Sequence, residues 1–156
     1  MNAPDLSETT LYVQRALWEQ KPLIEAAQRY GATVVAVDSD EDAAGREVAD
    51  TFVQVDSLRD VTECLDVART HDVDAVTTDQ CDFSLFTTSY IGARLDVPAA
   101  SLTAAQNTTN KKRMRRAAAD AVAHPDYRIC STEAEVRTAV TEIGLPVVVK
   151  PVDSRG

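Results

Sequence analysis

The sequence predicts an α/β chain that begins with a parallel sheet and ends with the opening of a second, α+β lobe. Aliphatic runs alternate with segments of helical spacing along its first part, as expected when parallel strands are joined by right-handed crossovers. The chain has 156 residues, of which 44% are hydrophobic and only 5 are glycine, so it is neither disordered nor fibrous. This length suffices for one domain and part of another.

Four runs rich in aliphatic and β-branched residues predict the strands of the first domain: 10–13, 33–37, 51–55 and 74–77. Helices are predicted between them: one from Lys21-Pro22 to Gly31, a short one after Asp38, and one capped by Ser57. A further helix over 83–95 should turn Phe86, Tyr90 and Ile91 inward, and residues 96–100 should return to the sheet. The pattern predicts a Rossmann-like domain over residues 1–104.

Residues 105–156 are predicted to begin a different lobe. Polar residues over 101–106 lead into a basic helix from Asn110 to about Val122. Thr132 and Glu135 form a capping box for another helix that ends at Gly144. The apolar run 147–149 then predicts a strand that ends at Lys150.

The charge and the apolar runs limit the partners and the location. With 25 acidic and 16 basic residues the net charge is −9, which repels nucleic acids and membrane surfaces. No apolar run approaches the roughly 20 residues that span a bilayer, and the first residues lack a secretory signal, so we expect a cytoplasmic protein. Three widely spaced cysteines fit neither a zinc site nor a disulfide framework, which predicts reduced thiols.

The dense basic cluster 110–116 has three interpretations. Lys111 and Arg115 share one helix face and Lys112 and Arg116 another, which is typical of a solvated charged face. The same cations suit a phosphate site. A nucleic-acid surface would need more cations and aromatic side chains, and the net charge opposes it.

Lys150 is predicted to carry its ammonium out of the apolar layer where the last strand ends. Pro151 lacks an N–H and suits a strand end, and residues 153–156 open a loop whose glycine permits close approach to a phosphate. The alternative is a lysine that extends to solvent at a sheet edge.

Together, segments 110–115 (Asn-Lys-Lys-Arg-Met-Arg) and 144–151 (Gly-Leu-Pro-Val-Val-Val-Lys-Pro) resemble the start of the ATP-grasp ligases, of the carbamoyl-phosphate-synthase-like kind. The family often has aspartate where Asn110 stands. The resemblance implies a pre-ATP-grasp domain followed by an incomplete nucleotide-binding lobe. Lys111 and Lys150 match the family's first two phosphate-contacting lysines.

The resemblance further implies an ATP- and Mg²⁺-dependent reaction in which a carboxylate becomes an acyl phosphate and an amine or similar nucleophile displaces the phosphate. It implies ATP contacts at Lys111, Lys150, Ser154, Arg155 and Gly156. The magnesium ligands, the adenine-contacting hinge and the catalytic arginine are then expected beyond Gly156, and we expect this chain alone to be an inactive fragment.

In the first domain, the substrate contacts are less defined. Family members often carry a glycine-rich turn after the first strand, where this chain has Arg15-Ala16-Leu17. Asp79 and Gln80 follow the fourth strand, at the edge where α/β sheets bind ligands, and either contact substrate or form a capping turn. Asp38 follows the second strand, where a dinucleotide fold places the acidic residue that binds a ribose. Because the chain lacks the glycine-rich turn of such folds, we interpret Asp38 as a strand-end residue.

The expected partners are a small-molecule carboxylate and a small-molecule nucleophile, with no nucleic acid and no membrane, and a homo-oligomer is left open. The alternative function is a non-catalytic α/β binding or scaffold module. In that case the basic helix and the terminal lysine serve solubility or docking.

Overall fold

The computed structural model describes residues 4–119 and 121–153 of the chain. They divide into two compact units, Met1–Ala105 and Gln106–Gly156.

The first unit is built on a four-stranded parallel sheet with the order β3-β2-β1-β4. Its strands are β1 (Thr10–Gln14), β2 (Thr33–Asp38), β3 (Thr51–Gln54) and β4 (Ala75–Thr77). The predicted α/β class and parallel sheet are confirmed.

Six α-helices are described: α1 (Lys21–Arg29), α2 (Val61–Thr70), α3 (Leu85–Leu95), α4 (Leu102–Thr109), α5 (Lys111–Ala118) and α6 (Glu133–Ile143). A 3-10 turn, Asp82–Ser84, leads into α3. Helix α1 begins with Lys21-Pro22, as the sequence predicts, because proline is tolerated in the first turn, where the backbone N–H groups lack intrahelical partners.

Three local predictions in the first unit are wrong. Helix α2 is capped by Asp60, whose side chain accepts a hydrogen bond from the Glu63 N–H at 2.8 Å, and not by Ser57. Residues 39–50 form turns where a short helix was predicted. Segment 96–100 forms no strand; its Pro98 carbonyl accepts one bond from the Val76 N–H at 3.0 Å. Proline cannot donate to a sheet ladder, which limits this pairing.

Of the three residues of α3 predicted to face inward, Ile91 and Tyr90 pack in or against the core and Phe86 does not. Ile91 is fully buried, but Phe86 is 50% exposed and stacks on Tyr90 one turn along the helix. The buried face is centred on small residues, and a Cβ on Gly92 would come within 2.3 Å of the Ala99 Cβ. The 96–100 segment therefore packs directly on α3 at Gly92, where no larger side chain would fit.

The core lies on both faces of the sheet. Val34 and Ala36 of β2 pack on one face with Ile24 of α1, while Val35 and Val37 pack on the other with residues of α2 and α3. Alternate residues of a strand point to opposite faces, so a strand covered by helices on both sides is apolar throughout.

A buried carboxylate joins the loops that follow β1 and β2. Oδ2 of Asp38 accepts hydrogen bonds from the Arg15 Nε at 3.0 Å and the Ala16 N–H at 2.9 Å, and Oδ1 accepts from the Asp40 N–H at 3.1 Å. The Asp38 side chain is fully buried and that of Arg15 is 14% exposed. The interpretation of Asp38 as a strand-end residue agrees with these contacts, although the pairing with Arg15 was not foreseen.

A second polar group lies inside the apolar core. The Tyr12 hydroxyl donates to the Gln14 side-chain oxygen at 2.8 Å, and the Gln14 amide donates to the Ser57 carbonyl and lies 3.5 Å from the Cys64 sulfur. Burial raises the pKa of both the Tyr12 hydroxyl and the Cys64 thiol. All three cysteines are free thiols.

The second unit has little core of its own. Among the described residues of 106–153, only Ala139 is buried. Helix α6 carries the predicted capping box of Thr132 and Glu135, which is confirmed. Helix α4 occupies residues predicted as a loop, and α5 ends at Ala118 rather than near Val122.

Within residues 4–119 and 121–153, no helix is long and apolar enough to cross a membrane.

The Asp38 contacts predict a large effect of Asp38→Asn. Both carboxylate oxygens accept N–H donors, so the amide must turn its NH₂ group toward one of them and leaves the Arg15 charge uncompensated. Breaking one partner of a buried ion pair costs about 3–5 kcal/mol, which chemical denaturation would measure. The matched control is Glu41→Gln, because Glu41 forms an exposed ion pair with Arg46 at 3.4 Å and should contribute less than about 1 kcal/mol. Equal losses in the two variants would contradict the role of Asp38.

The contrast between the units predicts uneven amide exchange. Amides of Val34–Val37 lie in a ladder between two strands, whereas residues 147–150 belong to no helix or strand. We expect exchange at 147–150 to be faster by at least about three orders of magnitude, since only the sheet opens by global unfolding. Hydrogen exchange read by NMR checks this, and equal protection of the two segments would refute it.

Candidate functional site

The first candidate lysine is positioned by a helix cap. Asn110 has an extended backbone, and its side-chain oxygen accepts a hydrogen bond from the Arg113 N–H at 3.1 Å. Lys111 is therefore the first residue of α5, where the helix dipole favours an anion.

One backbone hydrogen bond brings the second candidate segment to this helix start. The Lys111 N–H donates to the Val152 carbonyl at 2.8 Å, so the chain around Lys150 passes beside the first turn of α5. The Lys111 residue is partly buried and Lys150 is exposed. The backbone thus brings together the two lysine-bearing segments that the sequence singled out.

The strand predicted over 147–149 does not form. Val148 and Val149 are 79% and 67% exposed, and residues 147–150 pair with no strand in the described part of the chain. A strand needs a neighbour for its N–H and C=O groups, which the apolar run alone does not supply. Lys150 is therefore not placed by a sheet, and the backbone bond of this segment to α5 is made two residues later, at Val152. Ser154, Arg155 and Gly156 lie outside the described residues.

Three other cations of the basic cluster, Lys112, Arg113 and Arg116, line a surface depression that does not include Lys111. An open depression of about 660 Å³ is lined by Asn107, Asn110, Lys112, Arg113, Arg116 and Ala117. Lys111 is not among these residues, and α5 has no buried residue. Arg113 also donates to the Gln106 side-chain oxygen at 2.9 Å. This side of α5 has the features of a solvated charged face.

The two candidate substrate residues lie at the carboxyl edge of the first unit's sheet. Gln80 has a left-handed backbone with φ of 53°, and its N–H donates to the Asp79 carboxylate at 2.9 Å. The Thr78 hydroxyl donates to the Gln14 carbonyl at 2.9 Å, which ties this loop to the end of β1. Gln80 is exposed and Asp79 half-buried. The loop has the predicted turn geometry, and Gln80 is open to solvent at the edge where ligands bind in such sheets.

Sequence reasoning missed Gln20, which links the two loops of this edge. Gln20 is fully buried, its side-chain oxygen accepts from the Leu17 N–H at 3.1 Å, and its amide donates to the Asp79 carbonyl. The available signal was its place just before Lys21-Pro22, where a polar side chain can satisfy the backbone of the preceding turn.

Curated relatives match most of the chain but only part of their own length. The formate-dependent phosphoribosylglycinamide formyltransferase of Rhodococcus jostii (strain RHA1) is 33% identical over 142 residues, covering 86% of this chain and 34% of the relative. The enzyme of that name from Cronobacter sakazakii (strain ATCC BAA-894) is 37% identical over 135 residues, covering 81% and 33%. The chain therefore spans about a third of the length of these relatives. No protein-family model matches the chain.

Solved structures share the fold. N5-carboxyaminoimidazole synthetase from Staphylococcus aureus, complexed with ADP, superposes with a TM-score of 0.76 at 18% identity, covering 94% of this chain and 39% of that one. L-amino acid ligase from Bacillus licheniformis gives a TM-score of 0.67 at 23% identity, covering 94% and 38%. The predicted resemblance is confirmed: the chain is a relative of the ATP-grasp ligases and matches about a third of their length.

Proposed function

We propose that the protein carrying this chain is an ATP-dependent ligase, in which the γ-phosphoryl group of ATP passes to a carboxylate oxygen. ADP leaves, and an amine or similar nucleophile then attacks the acyl carbon and displaces phosphate. The observation that carries the proposal is the hydrogen bond from the Lys111 N–H to the Val152 carbonyl, because it joins the segments of both candidate phosphate-binding lysines.

In this proposal, Lys111 and Lys150 offset the charge of the phosphates. Lys111 adds its ammonium at the start of α5, and Lys150 approaches from the adjoining segment. Fixed cations beside a transferring phosphoryl group stabilise the charge that develops there. Ser154, Arg155 and Gly156 would extend the same phosphate loop.

The donors in this site suit phosphate oxygens and not a divalent cation. In the described part of the chain, no group of three or more His, Cys, Asp or Glu residues could hold a metal ion. We therefore assign the Mg²⁺ of the reaction to the ATP phosphates and to protein ligands outside the described residues. A metal there would neutralise part of the charge of the phosphates.

The relatives support small-molecule substrates. Their names refer to formate, phosphoribosylglycinamide, carboxyaminoimidazole and L-amino acids, and none refers to a nucleic acid or a membrane. We propose a small carboxylate and a small nucleophile as substrates, with Asp79 and Gln80 as contacts in the first unit, and a cytoplasmic location.

The joined lysine segments predict a weak phosphate site in the chain as it stands. Inorganic triphosphate, titrated into the ¹⁵N-labelled chain, should shift the amides of 110–112 and 150–153 together. Lys111→Ala should weaken binding by about tenfold or more, the usual effect of losing a charge-assisted hydrogen bond.

The matched control is Lys112→Ala, which removes the same charge from the adjacent position. Lys112 lines the open basic depression, so its loss should change the affinity much less than the loss of Lys111. Shifts confined to residues 112–117, or equal effects of the two variants, would contradict the assignment.

A further inference from the structure

The carboxyl edge between β1 and β4 has unusual backbone geometry. β2 and β3 lie on one side of β1 and β4 on the other, so this is the point where ligands bind in open α/β sheets. Arg15 after β1 and Gln80 after β4 both have positive φ, at 78° and 53°. Neither is glycine, asparagine or aspartate, and such strain persists where the surrounding structure enforces it, often at binding sites.

The loop after β1 uses its own N–H donors internally. The Ala16 N–H donates to the Asp38 carboxylate at 2.9 Å, and the Leu17 N–H donates to the Gln20 side chain at 3.1 Å. Pro22 has no N–H in the first turn of α1. A phosphate cradle needs several converging backbone N–H groups, usually with glycine, whereas residues 15–20 contain no glycine and the N–H groups of Ala16 and Leu17 are already bonded within the protein.

One guanidinium and two carboxylates lie at this edge. Arg15 uses Nε for Asp38, and its Nη1 and Nη2 have no partner among the described residues. The Gln20 side chain bonds both the Leu17 N–H and the Asp79 carbonyl, so Asp79 lies beside the loop that follows Arg15. Because Asp38 already neutralises Arg15, the Asp79 carboxylate leaves these three groups with a net negative charge, which disfavours a dianionic phosphate. A molecule with one positive and one negative group matches the arrangement.

Exposed aromatic side chains flank the same edge. Trp18, in the loop after β1, is 73% exposed, and Phe83, after β4, is 55% exposed. The Gln20 amide donates to the Asp79 carbonyl and holds these two loops together. Such rings offer an apolar surface beside the charged groups.

We propose that this edge binds an α-amino acid with an apolar side chain, as the substrate of the ligase proposed above, on whose function the assignment rests. The Nη groups of Arg15 bind its carboxylate and the Asp79 carboxylate binds its ammonium. Trp18 and Phe83 contact its side chain. The names of the curated relatives refer to a phosphoribosyl substrate. In this proposal, such a substrate does not bind at this edge.

The single tryptophan of the chain allows a direct test. Trp18 fluorescence of the 156-residue chain is titrated with L-leucine, with 4-methylpentanoate and 3-methylbutylamine, which each lack one charged group, and with ribose 5-phosphate. L-leucine should change the fluorescence saturably, and each single-charge analogue should bind at least about tenfold more weakly, as expected for one lost charge-assisted hydrogen bond. Ribose 5-phosphate should cause no change.

Variants separate the two ends of the ligand. Asp79→Asn should weaken L-leucine by about tenfold and leave 4-methylpentanoate unchanged, while Arg15→Lys, which still pairs with buried Asp38, should weaken both. Asp66→Asn, in an exposed ion pair on α2, is the control and should change neither. Thermal melts confirm that each variant is folded.

Ribose 5-phosphate binding as tightly as L-leucine, no response to any ligand, or an unchanged L-leucine affinity in Asp79→Asn would overturn the proposal. The triphosphate titration reads residues 110–112 and 150–153 and is independent of Trp18. If the triphosphate does not bind but L-leucine does, the proposed ATP function is wrong and the amino-acid site stands. If the triphosphate binds but L-leucine does not, only the amino-acid site is wrong.

Discussion

The first unit depends on one buried carboxylate. Asp38 ends the central strand β2 and accepts bonds from Arg15, Ala16 and Asp40, so it fixes the chain after β1 and after β2 together. A buried charge is tolerated only when its oxygens are satisfied, which these donors achieve. The ion pair also explains how Arg15 keeps a left-handed backbone, since the positive φ directs its side chain toward Asp38. The carboxyl edge of the sheet proposed to bind the substrate is therefore shaped by this buried ion pair.

The second unit is organised by local contacts instead. Caps at Asn110 and Thr132 begin α5 and α6, and a backbone bond from Lys111 to Val152 joins the first of these helices to the final described segment. With one buried residue in the described part, this unit relies on hydrogen bonds rather than on a core. Such bonds contribute about 1 kcal/mol each, so the position of Lys150 is held far less firmly than that of Arg15.

The sequence predicted the elements whose signals are local. The four aliphatic runs, the Lys21-Pro22 helix start and the Thr132 capping box each carry their own pattern over a few residues, and all are confirmed. The wrong predictions concern segments whose structure depends on contacts with distant parts of the chain. The run 147–149 has the composition of a strand but pairs with no strand among the described residues, and Phe86 stays half exposed although its spacing matches that of Tyr90. The Arg15–Asp38 pair was also invisible, because it joins residues of two strands whose order the sequence does not state.

The proposed binding of one phosphate group by both Lys111 and Lys150 can be tested by a structure of the protein with a non-hydrolysable ATP analogue bound. Both Nζ atoms should lie within about 3 Å of phosphate oxygens, the distance of charge-assisted hydrogen bonds. The backbone bond between Lys111 and Val152 should be retained. A structure with the analogue bound and either ammonium directed into bulk solvent would contradict the account.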